Sequence, residues 1–134
     1  MVYVLDACAM IAYLRGEPGA ARVAEILDDQ EDWCVAHVVN LCEVFYDFHR
    51  SCGEVVALDA LNDLATAGVN ERDQMCTALW QHAGALKANH RRVSLADCFA
   101  IALARKLEAT ILTADHHEFD PLALQGVCAI EFIR

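Results

Sequence analysis

Two short apolar runs, VYVL at 2–5 and TILT at 110–113, are each followed within two residues by an aspartate, Asp6 and Asp115. Four residues rich in β-branched side chains, without polar alternation, suit a strand covered on both faces. Such strands need a helical layer on each side, which confines the chain to a layered α/β architecture. WCVA (33–36), VNE (69–71) and CAIEFI (128–133) supply three further strand candidates. Between them the period changes. ACAMIAYL follows Asp6 as a short helix stopped by R-G-E-P, and a second helix begins near Pro18 and runs through AARVAEIL to an acidic loop at 28–32. A helix over 37–49 places residues 38, 41, 42, 45 and 48 on one face, and another fits 54–66 between Gly53 and Gly68. DQMCTALWQHAGALKANH (73–90) and the segment from Ser94 to about Leu107 read as two more helices. The expectation is α/β: a three-layer α/β/α domain spanning residues 1–134, built on a mostly parallel five-stranded sheet. Any departure from parallel falls in the last two strands.

In open parallel sheets, ligands bind beyond the carboxyl ends of the strands, where the strand order reverses. Asp6 and Asp115 both map to that edge. A third acid stands out in SLADCFAIALA (94–104), where Asp97 sits three residues into an otherwise apolar helix. Ser94 is a suitable N-cap, and an acid three residues later sits favourably at the positive end of the helix. Asp6 and Asp115 can likewise cap the segments that follow them. Three acids converging at about 5 Å would nonetheless repel by roughly 3 kcal/mol per pair at an effective dielectric near 20. That exceeds what a cap returns, so a cation is expected. An all-carboxylate donor set suits Mg²⁺ or Mn²⁺ better than Zn²⁺.

Composition bears on partners and setting. Twenty Asp and Glu against ten Lys and Arg give a net charge of −10, which opposes binding to phosphates at long range. A nucleic-acid role then needs bound cations, a local basic patch or a partner chain. Seven cysteines (8, 34, 42, 52, 76, 98 and 128) are scattered singly, with no C-x-x-C pair. They read as reduced core thiols of a cytoplasmic protein. MVYVLDACAMIAYL lacks a basic lead and is broken by Asp6, so neither a secretion signal nor a membrane span is expected.

V-L-D-A-C-A, N-L-C-E-V at 40–44, S-L-A-D-C-F-A-I-A-L-A and T-A-D-x-x-x-F-D occur in an order that closely resembles the PIN-domain family, especially VapC-type toxins of prokaryotic toxin–antitoxin pairs. The likeness extends over the whole chain. It implies metal-dependent ribonuclease activity with one or two Mg²⁺ or Mn²⁺ ions held by Asp6, Glu43, Asp97 and Asp115. Glu43 enters through the resemblance alone, since with Asn40 and Asp47 it forms a polar stripe that a solvated face would also produce. Thr113 matches the family's hydroxyl before the fourth acid. Thr113, Ser94 and Asn40 are the candidates for orienting the acids or a water. Position 8 departs from the pattern, carrying Cys where many relatives place a small hydroxyl or amide residue. The resemblance further implies an RNA substrate, a homodimer and a small antitoxin that blocks the acidic groove.

Other polar residues near these motifs carry weaker readings. Glu118 and Asp120 read as exposed loop acids with the option of an outer ligand, and His116 and His117 as solvent-facing beside a turn. Arg91 and Arg92, the adjacent basic pair nearest the site, are candidates for phosphate contact against a plain solvated turn. Two alternatives stay open. One is another Mg²⁺-dependent phosphoryl-transfer domain; the other is a non-catalytic interaction module on the same fold.

Overall fold

A computed structural model describes all residues, Met1–Arg134. Its elements run β1 (Val2–Leu5), α1 (Ala7–Arg15), α2 (Ala20–Asp28), β2 (Trp33–His37), α3 (Val38–Cys52), α4 (Glu54–Ala67), β3 (Val69–Arg72), α5 (Thr77–Asn89), α6 (Leu95–Leu107), β4 (Thr110–Thr113), α7 (His116–Gln125) and β5 (Ala129–Phe132). The strand order is β3-β2-β1-β4-β5. Every neighbouring pair is parallel, including β4 with β5. The chain builds outward from β1 in one direction through β2 and β3, then returns to the other side of β1 for β4 and β5. The reversal therefore falls between β1 and β4, whose carboxyl ends carry Asp6 and the Thr113–Asp115 segment.

Strand alternation divides the interior into two layers. Tyr3, Leu5, Cys34, Ala36 and Leu112 face a core filled by side chains of α1 to α4, among them Met10, Ile26, Phe48 and Leu64. Val4, Val35 and Ile111 face the opposite core with Leu79 and Leu86 of α5, Ile101 and Leu103 of α6, and Phe119 and Leu122 of α7. This is the three-layer arrangement with four helices on one face and three on the other. No helix is long and apolar enough to cross a membrane.

Four sequence expectations need correction. Residues 116–125 form a helix, not a turn with loop acids: Asp115 Oδ1 accepts the Glu118 amide at 3.0 Å, and Phe119 and Leu122 bury three residues apart. Pro121 sits inside that helix. α5 begins at Thr77, leaving Met75 and Cys76 exposed in the connection. On α3 the buried side is Asn40, Val44 and Phe48, while Cys42 is exposed. Only Cys34 and Cys98 are buried thiols; Cys8, Cys42, Cys52 and Cys76 are exposed and Cys128 is intermediate.

Candidate metal centre

Three helices that begin beside the switch point, α1, α6 and α7, are capped by polar side chains. Asp6 caps α1, its Oδ1 accepting the Ala9 amide at 2.8 Å. Asp115 caps α7 as described, and its own amide donates to Thr113 Oγ1 at 3.0 Å. Ser94 caps α6, with Oγ accepting the Asp97 amide at 3.1 Å. The cap on α6 is thus Ser94, which leaves the Asp97 carboxylate free of that role. Capping and ligation prove compatible for Asp6 and Asp115, because a cap occupies one oxygen of two.

Asp97, Asp115 and Glu118 each offer a carboxylate oxygen, and these atoms all lie within 4.8 Å of one another. They come from three places: the first turn of α6, the residue beyond β4 and the first turn of α7. Asp6 is 1% exposed, and its Oδ2 is buried with no hydrogen-bond partner. Thr113 lies close enough to favour the Asp6 carboxylate, yet it does not close a hydrogen bond on that oxygen. Glu43 projects from α3, half-buried, and accepts from Asn40 Nδ2 at 3.3 Å. The same amide nitrogen donates to the Ala96 carbonyl at 3.3 Å, which ties α3 to the start of α6.

The electrostatics describe a pocket short of positive charge. Burial pushes the Asp6 carboxyl from the ordinary 3.8 up to about 7, with Asp115 and Glu43 adding to the rise. Asp97 is raised further, first by burial, then by the adjacent Glu118 side chain and by the charges of Asp6, Glu118 and Glu43. Glu43 is raised by burial and by Glu118, against the pull of Asn40. Cys8, in the first turn of α1, has surface open to solvent, but the protein around its thiol displaces water there and, with Asp6, Asp97, Asp115 and Glu43, pushes it up to about 12. Its thiol therefore stays protonated and is a poor ligand. The donors that remain are hard carboxylate oxygens, one of them buried and unpartnered, and this set fits Mg²⁺ or Mn²⁺.

The structure thus gathers Asp6, Glu43, Asp97 and Asp115 at one edge with Thr113, Ser94 and Asn40 behind them. Glu118 joins them, correcting its reading as an exposed loop acid. The signal that could have placed it was Asp115 as an N-cap with an acid three residues on, the spacing of a capping box. Asp120, His116, His117 and Asp47 stand apart. Asp120 pairs with His116 at 2.9 Å, and the His116 ring stacks on Phe132 with centroids 4.0 Å apart. His117 is exposed. Asp47 is bridged by Arg15 and Arg50. Arg91 and Arg92 are exposed in the α5–α6 loop.

A parallel α/β sheet with acids converging at its switch point defines a class of metal-binding domains. Within that class, the PIN domain profile matches residues 3–123, and the chain belongs to the PIN-domain family. Among curated proteins, none matches. Solved structures of similar fold include VapBC2 from Rickettsia felis bound to a promoter DNA fragment, at 15% identity over 98% of both chains and a TM-score of 0.75. DNA-bound VapBC from Salmonella typhimurium aligns at 18% identity over 100% of this chain and 99% of that one, with a TM-score of 0.74. VapC20 of Mycobacterium tuberculosis, described as a Sarcin-Ricin loop cleaving toxin, aligns at 16% identity over 90% and 95% of the two chains, with a TM-score of 0.70.

Proposed function

We propose that this chain is a Mg²⁺- or Mn²⁺-dependent endoribonuclease, the toxin of a toxin–antitoxin pair. The observation that carries the reading is the convergence of Asp97, Asp115 and Glu118 oxygens within 4.8 Å beside the buried, unpartnered Oδ2 of Asp6. Membership of the PIN-domain family and the toxin–antitoxin structures of the same fold support it.

Asp6, Asp97, Asp115 and Glu118 would hold one or two ions, with Glu43 contributing negative charge nearby. A divalent ion bound there would supply Lewis acidity for hydrolysis of a phosphodiester and would offset negative charge at the reacting phosphate. The protein's part is to present carboxylate oxygens in fixed positions. α6 supplies rigidity, since Cys98, Ala100, Ile101 and Leu103 behind Asp97 are fully buried. Asn40 fixes the Glu43 carboxylate, and Thr113 fixes the backbone at Asp115. Burial and the neighbouring carboxylates hold the Asp97 carboxyl well above its ordinary range, so it has to lose its proton before it donates to an ion, and uptake is coupled to proton release. No Ser, Cys or His nucleophile is required.

An acidic groove in a chain of net charge −10 favours a small antitoxin that inserts a basic side chain, and a homodimer accords with the family. The test is hydrolysis of RNA by nuclease-free protein with Mg²⁺ or Mn²⁺, compared with Asp97→Asn. Cleavage by the parent and its loss in the variant, with folding intact, is expected. Equal cleavage by both removes the assignment.

A further inference from the structure

The net charge of −10 hides an internal asymmetry. Residues 76–107, covering α5, α6 and the loop between them, carry five Lys and Arg against one acid, Asp97, while the remainder carries five against nineteen. Outside that segment, Arg15, Arg22, Arg50 and Arg134 each lie in a salt bridge with a carboxylate. Arg72 is held by Gln74 and lies over the Trp33 ring. Within it, no cation is paired with an acid. Lys87 is engaged by backbone carbonyls, and the other four are available to an anion from outside.

Arg91 and Arg92 are the two beside the acid cluster, and their loop is pinned. Lys87 Nζ donates to the carbonyls of Arg91 and Val93, each at 2.8 Å. The Ser94 amide donates to Glu118 Oε2 at 3.3 Å, joining the loop's end to α7. Between loop and helix lies a cavity of about 170 Å³, lined by Asn89, Arg91, Arg92, Pro121 and Gln125, with Glu118 as a wall shared with the carboxylate cluster. At about 30 Å³ per water this is the space of some six waters, the scale of a single base.

Resting on the nuclease reading, we propose that this cavity is a nucleotide subsite. It takes one unpaired nucleotide of an RNA strand adjacent to the scissile phosphate. Arg91 and Arg92 hold its phosphate through their guanidinium forks. Asn89 and Gln125 offer amide donors and acceptors to the base edge, over the apolar ring of Pro121. A free small anion gains nothing from a carboxylate wall. A polymer does, because one phosphate meets the arginines while the next reaches the cation held by the acids. A base stacked in a duplex cannot enter a concave pocket of this size, so the nucleotide has to be unpaired or turned out.

The test uses the full chain and a short fluorescein-labelled single-stranded RNA of mixed sequence. Binding is followed by anisotropy with Ca²⁺ as a hard, non-catalytic ion, across a salt series. Arg91→Ala/Arg92→Ala should bind at least ~10-fold more weakly at low salt and lose about 1.4 from the slope of log K against log salt, the value for two phosphates on a single strand. Arg105→Ala/Lys106→Ala removes equal charge from the other end of α6 and should change little. The parent should prefer the single strand to a duplex of the same sequence by ~10-fold or more. An equal loss in both double variants, no loss in either, or equal affinity for duplex overturns the subsite. If RNA cleavage still depends on Asp97, such a result leaves the nuclease reading standing; absence of both binding and Asp97-dependent cleavage removes the two together.

Discussion

Replacing Asp6 with Asn tests the cost of the buried carboxylate directly. In the metal-free protein the Asp6 carboxyl titrates near 7, against 3.8 when unfolded. A raised folded value means that the folded state holds its proton after the unfolded state has lost it. The resulting stability is fully present below pH 3.8 and is lost as pH rises to about 7, beyond which the contribution is flat. At 1.36 kcal/mol per unit, the loss reaches about 4 kcal/mol as an upper bound. Asn keeps the cap on the Ala9 amide but places an NH₂ where Oδ2 lacks a partner, a penalty of about 1–3 kcal/mol that does not vary with pH. The slope therefore carries the test, not the offset. Urea unfolding from pH 4 to 8 in chelator should show the parent losing stability relative to Asp6→Asn by up to about 4 kcal/mol. Millimolar Mg²⁺ at pH 8 should recover stability in the parent and not in the variant. A difference that is constant across pH, or equal recovery by both proteins, refutes the reasoning.

Two further substitutions probe the frame around the site. Ser94→Ala removes the oxygen that accepts the Asp97 amide and should lower stability by about 0.5–2 kcal/mol in thermal or denaturant unfolding, while Ser94→Asp, which restores a cap, should recover most of it. Gly19→Ala should be destabilising by about 1–3 kcal/mol, because Gly19 has φ +96° and a Cβ there would stand 2.7 Å from Ile133 Cγ1 and 2.9 Å from its carbonyl oxygen. A neutral Gly19→Ala would show that the contact between the start of α2 and the last residues of the chain is not held in solution.

The layers and the site edge were legible because their signals are local. VYVL and TILT announce buried strands, and an acid at each strand end marks the edge where a parallel sheet binds. Residue spacing also exposed Asp97, since an acid inside an apolar helix is conspicuous. What escaped was set by tertiary contact. HHEFDPLALQ shows little apolar periodicity and contains a proline, so α7 depends on the Asp115 cap and on the burial of Phe119 and Leu122 in the second core. With α7 went Glu118, whose place near Asp97 and Asp115 follows from the helix entry. Asn40 reads in sequence as one residue of a polar stripe, yet it is fully buried, because its amide bridges Glu43 and the Ala96 carbonyl. The cysteines misled for a related reason: apolar neighbours in sequence do not tell which side of a helix faces the sheet.

Calorimetric titration of metal-free protein with Mn²⁺ at pH 7.5 tests the central claim most directly. The account predicts saturable uptake accompanied by proton release, visible as a dependence of the heat on buffer ionisation, with affinity reduced at least ~10-fold in Asp97→Asn and in Glu118→Gln. Uptake unaltered by either substitution, or no uptake by the parent, would contradict a metal centre built from these carboxylates.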